Sequence, residues 1–211
     1  MSELQITDPA GIERRSFEII RAELSARGIT PDPGEAPVLM RVIHTSADFD
    51  YAETLYFSPH AADLMRRALA EGADIVTDTE MAKAGINKRR LAGYGGEVRC
   101  FMSDPDVAEE AKARGITRAA VSMERAARIQ KPCLFAIGNA PTALISLHAL
   151  MEAGAAAPAG VIAVPVGFVN VVEAKELFVG ASVPHIVARG RKGGSNVAAA
   201  VCNALLYSME T

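Results

Sequence analysis

The sequence predicts an α/β protein of three-layer α/β/α architecture, with a mainly parallel sheet and N-terminal helices packed at one end or edge. Three observations carry that expectation. From residue 74 onward, short apolar runs of strand length alternate with segments of helical pattern. Most of those runs are apolar throughout, as in strands buried on both faces. Before residue 74 the chain is largely helical and breaks the alternation. Strand–helix–strand units imply right-handed crossovers with helices on both faces of the sheet. A chain of 211 residues fits one domain, spanning 1–211.

Residues 8–27 read as an amphipathic helix. Thr7 or Asp8 caps it, Pro9 suits its first turn, Ile12, Ile19, Ile20 and Leu24 form the apolar stripe, and Gly28 stops it. Ser16 lies four residues from both Ile12 and Ile20 and shares their face. Its hydroxyl either bonds back to the helix backbone or lines a site. Pro31, Pro33, Gly34 and Pro37 break the connector that follows.

Residues 37–46 read as a second helix, with Arg41 and His44 three apart in an otherwise mostly apolar stretch. On a strand that spacing opposes the two side chains; on a helix it puts them on one face. A fixed cation and a group that titrates near neutrality then point into one space. The alternative is a helix end whose arginine and histidine meet solvent. Asp48 to Tyr51 begins another turn, and Leu55 to Phe57 is a short extended piece. Ser58-Pro59 reads as the cap and first-turn proline of a helix ending near Glu71-Gly72.

Strands are expected at residues 74–78, 97–102, 133–137, 160–164 and 185–188. The intervening helices fall near 79–84, 105–114, 117–130, 141–152 and 171–178, and 195–207 closes the chain. In open parallel sheets ligands bind beyond the carboxyl ends of the strands. The loops after residues 78, 102, 138, 165 and 188 are therefore the candidate sites.

Composition narrows the function. A net charge of −3 argues against a dedicated nucleic-acid binder. No stretch approaches the ~20 apolar residues of a membrane span, and the N-terminus lacks the pattern of a signal peptide. The three cysteines, Cys100, Cys133 and Cys202, are widely spaced and suit buried thiols in a reducing, cytoplasmic setting. There is no CxxC, HExxH or GxSxG, and neither a P-loop nor a dinucleotide GxGxxG. No metal or cofactor is expected.

Three loops carry candidate chemistry. Ile137 to Leu144 runs from strand into helix, and Asn139, Thr142 or free N–H groups there suit a ligand or an anion. A plain helix cap is the competing reading. Pro165 to Asn170 suggests a shaped pocket wall. Arg189-Gly190-Arg191-Lys192-Gly193-Gly194-Ser195 gathers three cations and three glycines ahead of a helix, an anion-binding pattern. His60, His148 and His185 read as structural.

These loops, together with Glu13-Arg14-Arg15-Ser16-Phe17 and Arg41-Val42-Ile43-His44, stand in an order that resembles the precorrin-8X and cobalt-precorrin-8 methylmutase family of corrin biosynthesis. The resemblance runs nearly the whole chain. It implies an isomerase that moves a methyl group from C-11 to C-12 of a corrin precursor, giving hydrogenobyrinate or cobyrinate. It implies that His44 is the proton donor and that Ser16 and Arg41 bind substrate. It also implies a homodimer needing neither metal nor nucleotide, with product handed to neighbouring pathway enzymes. The substrate is flat, apolar and rimmed by carboxylates, which suits Arg41 and the late basic loop. Two other classes fit the same residues: a non-catalytic corrin carrier, and an α/β enzyme cradling a phosphorylated metabolite in the glycine loop.

Overall fold

The structure is a computed structural model that describes residues 8–209. Its eleven helices among those residues are α1 (Pro9–Ala26), α2 (Ala36–Ser46), α3 (Tyr51–Thr54), α4 (Ala61–Ala70), α5 (Glu80–Gly85), α6 (Lys88–Gly93), α7 (Pro105–Arg114), α8 (Arg118–Ala126), α9 (Pro141–Glu152), α10 (Val171–Val179) and α11 (Ser195–Tyr207). The strands are β1 (Leu55–Phe57), β2 (Asp74–Thr77), β3 (Val98–Arg99), β4 (Cys133–Ile137), β5 (Gly160–Ala163) and β6 (His185–Ala188).

They form one sheet in the order β1-β6-β5-β4-β2-β3. Every pairing is parallel except β1 with β6, where Tyr56 opposes Val187. The strands are apolar on both faces because both faces are covered. Ile75, Leu134, Ala136, Ile162 and Ile186 join the core under α4 and α11, whereas Val76, Phe135, Ile137, Val161 and Val187 join the core under α9 and α10. α11 is the central helix of the first face, with ten fully or nearly buried residues between Ser195 and Leu206. The N-terminal helices take the outside of α11: Val38, Leu39, Val42 and Ile43 turn α2 onto it, and α1 packs on α2. β1 takes the sheet edge.

Several local expectations are corrected. Asp8 caps α1, its carboxylate accepting from the Gly11 N–H at 2.6 Å; Thr7 lies outside the described residues. The expected stripe of α1 is only half buried. Ile20 and Leu24 are covered, but Ile12 and Ile19 are 48% and 45% exposed. Ser58 is not a helix cap: α4 begins at Ala61 after His60 in a left-handed conformation. The Ser58 hydroxyl instead accepts the His185 N–H at 2.9 Å, tying the chain to β6. The third strand shrinks to Val98–Arg99, and α8 stops at Ala126 rather than near residue 130. Helix α6 was not anticipated. Its signal was Asn87, whose side chain accepts the Arg90 N–H as an N-cap.

Candidate active site

Helix α2 places Arg41 and His44 on one face, as their spacing predicts. Its apolar face is buried, and the opposite face presents Arg41 and His44 to one cleft of about 390 Å³. Thr45, Gly85, Asn196, Ala199, Ala200, Asn203 and Tyr207 complete the lining. The small residues Gly85, Ala199 and Ala200 leave room where α5 and α11 meet. His44 is exposed in the last turn of α2, with its ring centroid 5.2 Å from that of Phe17.

Arg41 joins this cleft to a neighbouring recess of about 290 Å³ lined by Phe17, Arg21, Pro37, Met40, Ala204, Tyr207 and Ser208. Its guanidinium lies 4.8 Å from the Phe17 ring centroid and 5.3 Å from that of Tyr207, and it donates to the Glu13 carboxylate at 2.5 Å. Aromatic faces attract guanidinium groups, so Phe17 and Tyr207 both help to hold Arg41. Ser16, one residue before Phe17, donates its hydroxyl back to the Ile12 carbonyl at 2.8 Å. It lines neither recess.

The loop after β4 holds no vacant anion site. The buried Asp78 carboxylate already accepts the N–H groups of Gly138, Asn139 and Ala140 at 2.8, 2.8 and 2.6 Å. Burial pushes the pKa of Asp78 up, and the three N–H groups pull it back. The expectation that these N–H groups are free is therefore corrected: the Asp78 side chain occupies the start of α9. Asn139 is exposed and Thr142 half-buried, and both lie away from the Arg41–His44 cleft lining. Gly138 is required by a close crossing, since an added Cβ would fall 2.8 Å from the Gly194 carbonyl oxygen.

The basic glycine loop is fastened from every side. A Cβ at Gly193 would meet the Val164 carbonyl oxygen at 2.1 Å, and the Gly194 N–H donates to that same oxygen at 2.8 Å. Arg189 forms a two-pronged pair with Glu176 at 2.9 and 2.8 Å. Lys192 bridges Asp48 and Asp50, both at 2.6 Å. Its ammonium holds Asp48 below the usual carboxylate range. Arg191 forms no ion pair among the described residues and lies 5.5 Å from the Phe168 ring centroid. Ser195 shares a hydrogen bond of 2.8 Å with Thr79. Beneath the loop, the fully buried Lys175 donates to the carbonyls of Gly190 and Lys192 at 2.9 and 2.7 Å. Desolvation lowers its pKa to about 8.

Of the anticipated residues, then, Arg41 and His44 meet in one cleft, and Ser195 precedes Asn196, which lines it. Lys192 reaches the segment just after α2. Ser16, Asn139, Thr142, Arg189 and Arg191 stand outside that lining. Sequence reasoning missed Asn203 and Tyr207, and it held Phe17 and Asn196 only as members of longer motifs. It also missed Lys175, whose signal was a lone cation in the apolar helix Val171–Val179. Among the described residues no three His, Cys, Asp or Glu side chains gather as a metal site, and no helix is long and apolar enough to cross a membrane. Burial pushes the thiols of Cys133 and Cys202 up to about 11 and about 12.

Known proteins resemble this chain in sequence and fold. The sequence model of the precorrin-8X methylmutase family matches residues 11–208. A cobalt-precorrin-8 methylmutase of Salmonella typhimurium is 46% identical over 210 residues, covering 97% of each chain. A precorrin-8X methylmutase of Pseudomonas aeruginosa is 41% identical over 97% of this chain and 98% of its own. The crystal structure of a precorrin-8X methylmutase from Thermus thermophilus superposes with a TM-score of 0.85 at 39% identity, over 94% of this chain and 95% of that one. The chain belongs to the precorrin-8X methylmutase family, isomerases of cobalamin biosynthesis.

Proposed function

We propose that the chain moves a methyl group from C-11 to C-12 of precorrin-8X, giving hydrogenobyrinate, with His44 as proton donor and acceptor. The observation that carries this reading is the shared cleft of Arg41 and His44. A flat macrocycle rests its apolar face on Ala199, Ala200 and Gly85, and Arg41 takes one of its carboxylates. Protonation of the ring by His44 leaves the conjugated system electron-poor and eases migration of the methyl. The imidazole then recovers the proton, so the reaction is a net isomerisation. Ser16 and Arg191 are assigned to substrate carboxylates at the rim. Asn139, Thr142 and the remaining residues of the basic loop serve as supports of that rim.

The same isomerisation on cobalt-precorrin-8, giving cobyrinate, is the second reading, because relatives of both names match over nearly the full chain. A homodimer is proposed as the working form. It is supported by apolar side chains left exposed, Ile12 and Ile19 on α1 and Phe168 and Val169 after β5. Light scattering on the purified protein tests it. Three unpaired, buried thiols support a cytoplasmic setting.

Purified protein incubated separately with metal-free and cobalt-containing substrate, and followed by visible absorption, tests the function. Conversion of the chromophore supports the isomerase and selects the branch. Tight binding without conversion of either substrate favours a carrier instead.

A further inference from the structure

Tyr207 also faces the partners of a third recess. This recess, of about 360 Å³, opens under α6 and is lined by Asn87, Arg89, Arg90, Gly93 and Tyr94. Arg90 is oriented there by neutral partners. Its Nε donates to the Leu206 carbonyl at 2.7 Å and one Nη to the Met209 carbonyl at 2.8 Å. Its guanidinium lies 5.6 Å from the Tyr207 ring centroid, and the Tyr207 hydroxyl accepts from Asn87 at 3.2 Å.

Carbonyl partners fix a guanidinium without neutralising it, and they leave the second Nη for another acceptor. The contrast with the rest of the molecule is direct. Lys192 carries two carboxylates, Arg189 one and Arg99 two, whereas Lys88, Arg89 and Arg90 form no ion pair among the described residues. Arg41 stands at the same ring, 5.3 Å from its centroid. Both guanidiniums therefore lie against the Tyr207 ring, close enough for one multiply charged ligand to reach both.

We propose that the α6 recess is a second carboxylate subsite, in which Arg90 and Arg89 take an acetate or propionate arm of the macrocycle while Arg41 takes another. This rests on the function proposed above. A ligand that bridges both arginines is fixed in rotation as well as position, since one carboxylate alone leaves the ring free to pivot. The ligand class is a planar polycarboxylate, because only a ligand with more than one carboxylate engages both arginines at once.

Arg89 is exposed and its side chain makes no hydrogen bond among the described residues, so Arg89→Ala removes charge without touching the fold. The experiment is an absorption titration of wild type, R89A and R90Q with hydrogenobyrinate across a range of NaCl, paired with turnover of the substrate. R89A is expected to weaken binding and raise KM roughly five- to twenty-fold, with kcat unchanged and a shallower salt dependence. R90Q, checked for folding by its melting curve, is expected to exceed that loss. The fully methyl-esterified macrocycle should bind wild type and R89A alike. Unchanged affinity and salt dependence in R89A, with wild type turning substrate over normally, would overturn the subsite and leave the methylmutase intact. A wild type that neither binds nor converts the macrocycle would overturn both.

Discussion

Arg41 donates to Glu13 across 28 positions of sequence at 2.5 Å, while Phe17 and Tyr207 both help to hold it. The arginine is therefore placed in advance, but its charge is partly answered by an acid that a substrate carboxylate must displace. Glu13 is half exposed, so the pair itself is worth no more than about 1 kcal/mol. Glu13→Gln is expected to lower KM by about two- to five-fold. Arg41→Gln removes a charge-assisted contact and is expected to raise KM roughly ten- to hundred-fold with the smaller change in kcat. Steady-state kinetics on both variants check this. A higher KM in E13Q would mean that Glu13 positions Arg41 rather than competing for it.

Lys192 fastens the basic loop to Asp48 and Asp50, just beyond the end of α2 and its His44. Lys192→Ala is expected to loosen that segment and lower kcat roughly three- to ten-fold, with KM little changed. Hydrogen exchange at residues 44–50 should rise in the variant. In wild type, about 0.5 M NaCl should reproduce part of the loss, because the pair is exposed to screening. A variant with intact kcat and a raised KM would show that Lys192 meets the substrate instead.

Lys175 gives the fold a pH dependence whose sign is fixed. Its pKa is lowered from 10.5 to about 8 by desolvation. Between those values the unfolded chain holds a proton on Lys175 that the folded chain has released, so this residue's contribution to stability rises with pH across that window, against the opposite contribution of the buried Cys133 and Cys202 thiols. The gain has an upper bound of about 3 kcal/mol, at roughly 1.4 kcal/mol per unit. Lys175→Met should lose this slope, whatever its stability at neutrality. Urea unfolding of both proteins from pH 7.5 to about 10.5 checks it. Parallel slopes in wild type and variant would refute the assignment.

Much of this was legible in the sequence because it depends on local spacing. Near-continuous apolar runs read as strands covered on both faces, and the sheet has that form. Arg41 and His44 three apart could share a face only on a helix, and they do. What could not be read were the partners of charges. Nothing near Lys192 in sequence announces Asp48, more than a hundred residues away, and nothing near Gly138 announces Asp78. A run of cations before a helix looks like an anion site until the acids that neutralise two of them are in place. Ile12 and Ile19 looked like core because periodicity reports a face, not what covers it. Helix α6 escaped because six residues hold too little periodicity to register, and only its cap gave a sign.

The assignment of His44 as the group that moves the proton is tested most directly by His44→Ala, measured for hydrogenobyrinate affinity and for turnover in parallel. Because the side chain is exposed in an open cleft, the variant should fold and bind the macrocycle within a few-fold of wild type. General acid–base catalysis contributes about 10²–10⁴-fold, so kcat should fall by that amount. Near-normal kcat in H44A, with binding intact, would contradict the account.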